Sequence, residues 1–238
     1  MELLTVDEQC YACERLLSIM TDSSCFHQLS FYNKLYNSWS TILRQQAKLP
    51  PVLLTYESTD NIPRFEQNVD YGFDYTLHFS LTKIKHVFEN KNASLFFKKA
   101  NFIATHDDTF IETENYRIPC DFNYYAQEKS ILSEENSGTL FASLLPVSPP
   151  VMQIIDGNHR LSAYINMKRV CIPVWILQRK KEAYFLETDF EMWGYIYLMD
   201  LTIISAIINR YPESYIYQQL AIANPNIQLI VNHNKSLM

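Results

Sequence analysis

Apolar and polar positions change period several times along the chain, and each change marks a boundary. Leu16, Leu17 and Met20, then Phe31, Leu35, Tyr36, Trp39, Ile42 and Leu43, recur at helical spacing. Residues 7–48 are therefore expected to form two helices, separated by Thr21-Asp22-Ser23-Ser24 and closed by Pro50-Pro51. Val52–Tyr56 predicts a strand, and the polar stretch Glu57–Asp74, punctuated by Pro63 and Gly72, predicts a loop or linker. From Tyr75 the alternation Tyr-Thr-Leu-His-Phe-Ser-Leu is that of a half-buried strand. Asn101–Thr105 and Thr109–Thr113 flank His106-Asp107-Asp108, which predicts a hairpin with a polar tip.

The pattern is weaker between Tyr124 and Leu145, where a short helix is expected before Asn136. Three short apolar runs follow: Leu144–Val147, Val151–Ile155 and Ile172–Leu177. Between the last two, Leu161, Tyr164, Ile165 and Lys168 share one helical face, which predicts a strand-helix-strand unit. Beyond Lys180-Lys181, helices are expected over Asp189–Asn209 and Ser214–Ala223, with a last apolar run at Ile227–Val231. The chain thus divides into an N-terminal helical segment (1–50), a linker (51–74), a sheet-containing domain (75–180) and a C-terminal helical extension (181–238).

Composition narrows the function. Apolar residues make up 47% and charged residues 19%, enough for a packed core. With 20 Lys and Arg against 26 Asp and Glu the net charge is −6, so no bulk basic field favours a polyphosphate backbone, and DNA binding is not expected. The acidic start lacks the basic segment and apolar core of a secretory signal, and Tyr195–Ile208, interrupted by Asp200, is too short to span a bilayer; a cytoplasmic protein is expected. Five scattered cysteines do not form a disulfide framework, and Cys10 and Cys13 read as two thiols on one side of a helix. Asp200 is expected on a polar helical stripe, Glu187, Asp189 and Glu191 at a helix start, and His27, His78, His86 and His233 show no shared spacing.

The candidate chemistry lies at Asp156-Gly157-Asn158-His159-Arg160, which uses one of only four glycines where an apolar run turns into a helix. Such a turn aims backbone N–H groups and the positive end of a helix dipole at one spot, which suits a phosphate. Gly157 permits the tight turn, Asn158 can cap, Arg160 can bind phosphate oxygens in a bidentate fashion, and His159 can bond a phosphate or stabilise a leaving group. The competing reading is structural: Asp156 caps the helix, Arg160 pairs with an acid, His159 is a satisfied buried donor, and the Ser162 hydroxyl bonds its own helix.

From Pro146-Val147 through Val151–Ala163 to Ile172-Pro173-Val174 the chain resembles the ParB/sulfiredoxin superfamily, with its "(I/V)DGxHR" turn and closing "IPV" strand. Ser80-Leu81-Thr82-Lys83-Ile84 is similar to the segment after that fold's first strand. The resemblance implies an α+β protein: a small mixed β-sheet over residues 75–180, with an insertion near 88–125, flanked by N-terminal and C-terminal helical extensions. It also implies that Gly157, Asn158, His159 and Arg160 hold the phosphates of a nucleotide such as ATP, ADP or CTP. Beside that cradle Ser162 is a further candidate for the phosphates, His159 and Asp156 are the candidate catalytic groups, and Mg2+ is a candidate companion. Cleavage or transfer of a nucleotide phosphate is then the leading expectation. A non-catalytic nucleotide sensor or protein-interaction module, with a protein partner or a homodimer, is the alternative; nuclease action ranks below both.

The chain departs from the family in three places. Asn158 stands where the reductase branch has its reactive cysteine, which removes sulfinic-acid chemistry from this turn. His159 replaces the second basic residue of the DNA-segregation switches, and the Tyr- and Ile-rich C-terminal part fits a helical cap better than a DNA reader. Lys168-Arg169 takes the place of the glycine that ends the motif helix.

Overall fold

The computed structural model of the protein describes residues 4–51, 64–69, 73–89, 93–105, 109–115, 117–121, 139–146, 151–167, 171–178 and 181–224. Helices α1 (Val6–Asp22), α2 (Ser24–His27) and α3 (Tyr32–Ala47) precede the antiparallel strands β1 (Arg64–Val69) and β2 (Phe73–His78). Then come α4 (Leu81–Glu89), α5 (Ala93–Phe96), β3 (Phe97–Ala104), β4 (Thr109–Glu112), β5 (Arg117–Asp121), β6 (Phe141–Leu145) and β7 (Val151–Asp156). After these follow α6 (Asn158–Asn166), β8 (Cys171–Leu177), a 3-10 turn (Glu182–Phe185), α7 (Asp189–Ile207) and α8 (Glu213–Gln219). Two compact units result: residues 1–80, 146–148 and 183–238, and residues 81–145 and 149–182. The strand expected at Val52–Tyr56, the His106–Asp108 tip, the short helix before Asn136 and the run Ile227–Val231 lie outside the described residues.

In the first unit, α1 starts on a capping box that the sequence reading missed. Thr5 Oγ1 accepts from Glu8 N at 3.3 Å, while the Glu8 carboxylate accepts from Thr5 N at 2.7 Å, satisfying two otherwise orphaned N–H groups. The Trp39 ring meets Trp193 and Tyr197 edge-on, and Tyr197 OH donates to Leu16 O at 3.0 Å, so α1, α3 and α7 share one core. Burial pushes the Cys13 thiol up to about 12, and Cys10 Sγ lies 3.7 Å from Ala47 O.

Two expectations for this unit need correction. Residues 64–69, placed in the linker, form β1; Arg-Phe-Glu-Gln-Asn-Val is too polar to signal a strand, and pairing with β2 supplies what its side chains do not. Asp200 is not on a polar stripe but 1% exposed, because α7 is buried on nearly every side. Its Oδ1 accepts from Ala221 N at 2.7 Å, so the carboxylate serves the backbone of the turn after α8. By length and composition α7 is apolar enough to cross a membrane, yet 78% of its apolar window is buried within the protein.

The second unit corrects the expected fold. Overall α+β holds, but the sheet is not a small open one: strands in the order β3-β4-β5-β7-β6-β8 close into a six-stranded mixed barrel. The residues read as an insertion, 88–125, supply β3, β4 and β5, and these bridge the gap between β8 and β7. The expected hairpin is present as β3 and β4, with Asn101 opposite Glu112 and Ala104 opposite Thr109. β7, α6 and β8 do follow one another, but β6 lies between the two strands, antiparallel to β7 and parallel to β8.

Alternation then decides what faces inward. Ala100 and Phe102 on β3, Ile111 on β4, Cys120 on β5, Ala142 on β6, Met152 and Ile154 on β7, and Ile172, Val174 and Ile176 on β8 fill the interior. On the outer face Phe88 of α4 packs edge-on against Phe97, Phe141 and Trp175. Leu161, with Tyr164 and Ile165, joins the interior cluster, which sets α6 across one opening of the barrel. Pro173, without an N–H, fits because the β6 ladder to β8 begins only at Trp175, whose N donates to Leu140 O at 2.9 Å. Replacing the fully buried Phe102 by Ala is expected to cost about 3–5 kcal/mol. Urea denaturation measures this, and a loss below about 1 kcal/mol would contradict an interior position for this ring.

Candidate functional site

The motif folds as a strand-turn-helix because each part demands it locally. Met152 and Ile154 commit β7 to the barrel interior, and Gly157, at φ 97° and ψ 17°, leaves the strand in the left-handed region that glycine adopts without penalty. A Cβ at Gly157 would lie 2.4 Å from Leu140 Cδ2, 3.1 Å from Arg160 Nη2 and 3.3 Å from Arg160 Nε. The guanidinium therefore folds back over the glycine, and space as well as backbone geometry excludes a side chain there. Leu161 N donates to Gly157 O at 2.8 Å, the first bond of α6, so the N–H groups of the first turn have no helical carbonyl ahead of them.

Around this turn the polar groups are held in a defined way. Arg160 Nη2 donates to Thr139 O at 2.8 Å and to Asp156 Oδ2 at 3.3 Å, an i,i+4 ion pair, and Lys85 Nζ stands 3.8 Å from the same carboxylate oxygen. Two cations thus flank one carboxylate beside the positive end of a helix, leaving local positive charge; the half-exposed Lys85 adds little by itself. Asn158 does not cap the helix: its Nδ2 donates back to Ile154 O at 3.2 Å, and Gly157 occupies the cap position. His159 is exposed on the first turn.

Three buried polar atoms on this stretch have no hydrogen-bond partner among the described residues: Asn158 Oδ1, Arg160 Nε and Ser162 Oγ. Ser162 is 2% exposed and stands one helical turn after Asn158, its side chain leaning toward the helix start. Each such orphan costs about 1–3 kcal/mol when nothing binds it, which a fold tolerates where a polar guest belongs.

The structure thus brings together Asp156, Gly157, Asn158, His159, Arg160 and Ser162, and adds Lys85, Thr139 and Leu140, for which the sequence carries no local signal. Among acids elsewhere in residues 75–180, Glu112 is paired with Arg117 at 2.6 Å, and Asp107, Asp108, Glu134 and Glu135 lie outside the described residues. Among the described residues no group of three or more His, Cys, Asp or Glu side chains is placed to hold a metal ion.

No family model, curated protein or solved structure matches the chain.

Substituting Gly157 by Ala is expected to destabilise the protein by at least about 1–2 kcal/mol, from the left-handed backbone alone. The Leu140 clash adds to this. An unchanged denaturation midpoint would show that the turn does not constrain this position.

Proposed function

We propose that the β7–α6 turn binds the phosphate of a nucleotide, of which ATP, ADP and CTP are the candidates. The observation that carries this reading is the set of orphaned polar atoms, Asn158 Oδ1, Arg160 Nε and Ser162 Oγ, within the first five residues of a helix whose N-terminus opens from a left-handed glycine. The N–H groups and the Arg160 fork suit phosphate oxygens, and the Asn158 oxygen suits a hydroxyl donor; a nucleotide offers both. On binding, Arg160 exchanges its long bond to Asp156 for one to phosphate while keeping Thr139 O as its anchor. The resemblance of Asp156–Arg160 to the ParB/sulfiredoxin turn agrees with this reading.

Cleavage or transfer of the terminal phosphate follows if the freed groups act. The attacking hydroxyl or water gives its proton to Asp156 as its oxygen bonds the terminal phosphorus, the bond from that phosphorus to the bridging oxygen breaks, and His159 donates a proton to the bridging oxygen, which leaves with the rest of the nucleotide. In the ligand-free turn Asp156 is engaged by Arg160 and Lys85, so a magnesium ion would draw little from this carboxylate and would serve mainly to neutralise phosphate charge. That engagement favours a second reading, a non-catalytic sensor in which the nucleotide exchanges partners with the clamp but is not turned over.

The test is a thermal-shift screen of nucleoside mono-, di- and triphosphates with and without Mg2+, followed by assay of phosphate release. A ligand at a hundred times its Kd adds about 2.7 kcal/mol of stability. Ser162→Ala is the discriminating variant: it removes an orphaned hydroxyl, so the ligand-free protein is expected to keep or raise its Tm while the nucleotide shift shrinks. Phosphate release abolished by His159→Ala supports the enzyme; a shift without release supports the sensor. No shift with any nucleotide would sink both.

A further inference from the structure

Outside the turn, the first unit buries an acid–base pair that no spacing in the sequence announced. The His78 ring, at the last residue of β2, bonds through Nδ1 to Glu191 Oε1 in the first turn of α7. Both side chains are only 4% exposed. Glu191 Oε2 also accepts from His78 N at 3.4 Å, and Glu187 N donates to His78 O at 3.0 Å, so one strand residue is gripped through its ring, its amide and its carbonyl. Neighbouring bonds continue the grip: Ser80 N donates to Phe185 O at 2.7 Å, Phe79 bridges Leu186, and Thr188 Oγ1 accepts from Glu191 N at 3.2 Å.

Several protonation states keep a proton between the ring nitrogen and the carboxylate oxygen. With a proton on both ring nitrogens, or one on Nε2 and one on the acid, the pair is neutral overall. With only the Nδ1–H facing the carboxylate the hydrogen bond survives, but one net negative charge is buried. The charged groups acting on Glu191 are His78, across from β2, and Glu187, just before α7, itself buried and of like charge. Loss of the proton therefore meets opposition from burial and from Glu187 together.

We propose that the His78–Glu191 pair is a proton-operated latch: in its neutral state it pins the end of β2 to the first turn of α7, and loss of a proton as the pH rises leaves a buried net charge beside Glu187 that loosens the strand end. The sign agrees with the environment of Glu191, whose carboxyl is raised above its ordinary 4.5 first by burial, an effect partly offset by the bonds from His78 and reinforced by Glu187. A group held protonated more tightly in the folded chain stabilises fully below the ordinary carboxylate range. That stabilisation is lost as pH climbs through the raised value.

Amide hydrogen exchange of the whole chain at pH 5 and pH 9, normalised for intrinsic exchange, reads the latch at the His78 and Glu187 amides. Protection there is expected to fall at least tenfold at the higher pH, while the amides of the α1–α3 core keep theirs. Glu191→Gln retains an oxygen to accept from His78 but cannot lose the proton, so its protection should not change with pH. An equal fall in that variant, or none in the unmodified protein, overturns the latch. A second measurement needs no variant: the His78 and Glu187 amides must lose protection over one shared pH interval, and amides that lose it at separate pH values also overturn the latch.

Discussion

The antiparallel ladder between β3 and β8, from Phe97 opposite Leu177 to Ile103 opposite Cys171, is the seam on which the second unit depends. Without it the sheet has two edges of unpaired N–H and C=O groups, and the interior around Phe102 and Val174 stands open to water. With it, inner faces meet inner faces, and Lys99 lies opposite Trp175 outside, its Nζ 5.2 Å from the ring centroid. Ring closure also fixes the neighbourhood of the candidate site. Because Phe141 pairs with Asp156, the residues just before β6 pass beside those just after β7, which is how Thr139 O comes within reach of Arg160 and Leu140 within reach of Gly157.

Local features were legible where one residue type has one physical use. Val151–Ile155 followed by glycine and a helical face could hardly be read otherwise, and the rival view that Arg160 pairs with an acid is met by Asp156 one turn earlier. Closure was not legible, since no single strand encodes it. β3 carries two consecutive exposed lysines, Lys98 and Lys99, that interrupt its alternation, β4 spans only Thr109–Glu112, and β5 contains Pro119. Each looked like insertion rather than sheet. Partners supplied from afar were invisible for the same reason: Lys85 for Asp156, Ala221 N for Asp200, and Glu191 for His78, which lies 113 residues away.

Buried polar groups are answered to different degrees. Glu191 and Asp200 are costly to bury, and one oxygen of each carboxylate meets a backbone donor whose position the fold dictates. At the start of α6, by contrast, three unsatisfied atoms fall within five residues of one short helix. Isolated lapses occur elsewhere, as at Trp39 Nε1, but a cluster beside local positive charge departs from the consistency that a purely structural turn would be expected to show.

The barrel unit is inserted in the chain of the helical one, between Ser80 and Ala183. α1 and α3 leave the ribosome long before α7, yet Trp39 finds Trp193 and Tyr197 only on that late helix. The N-terminal helices must therefore wait, with their apolar faces uncovered, while the intervening strands are synthesised and joined. Loops of that length close slowly, so a nascent chain halted before α7 exposes a sticky helical pair to chaperones.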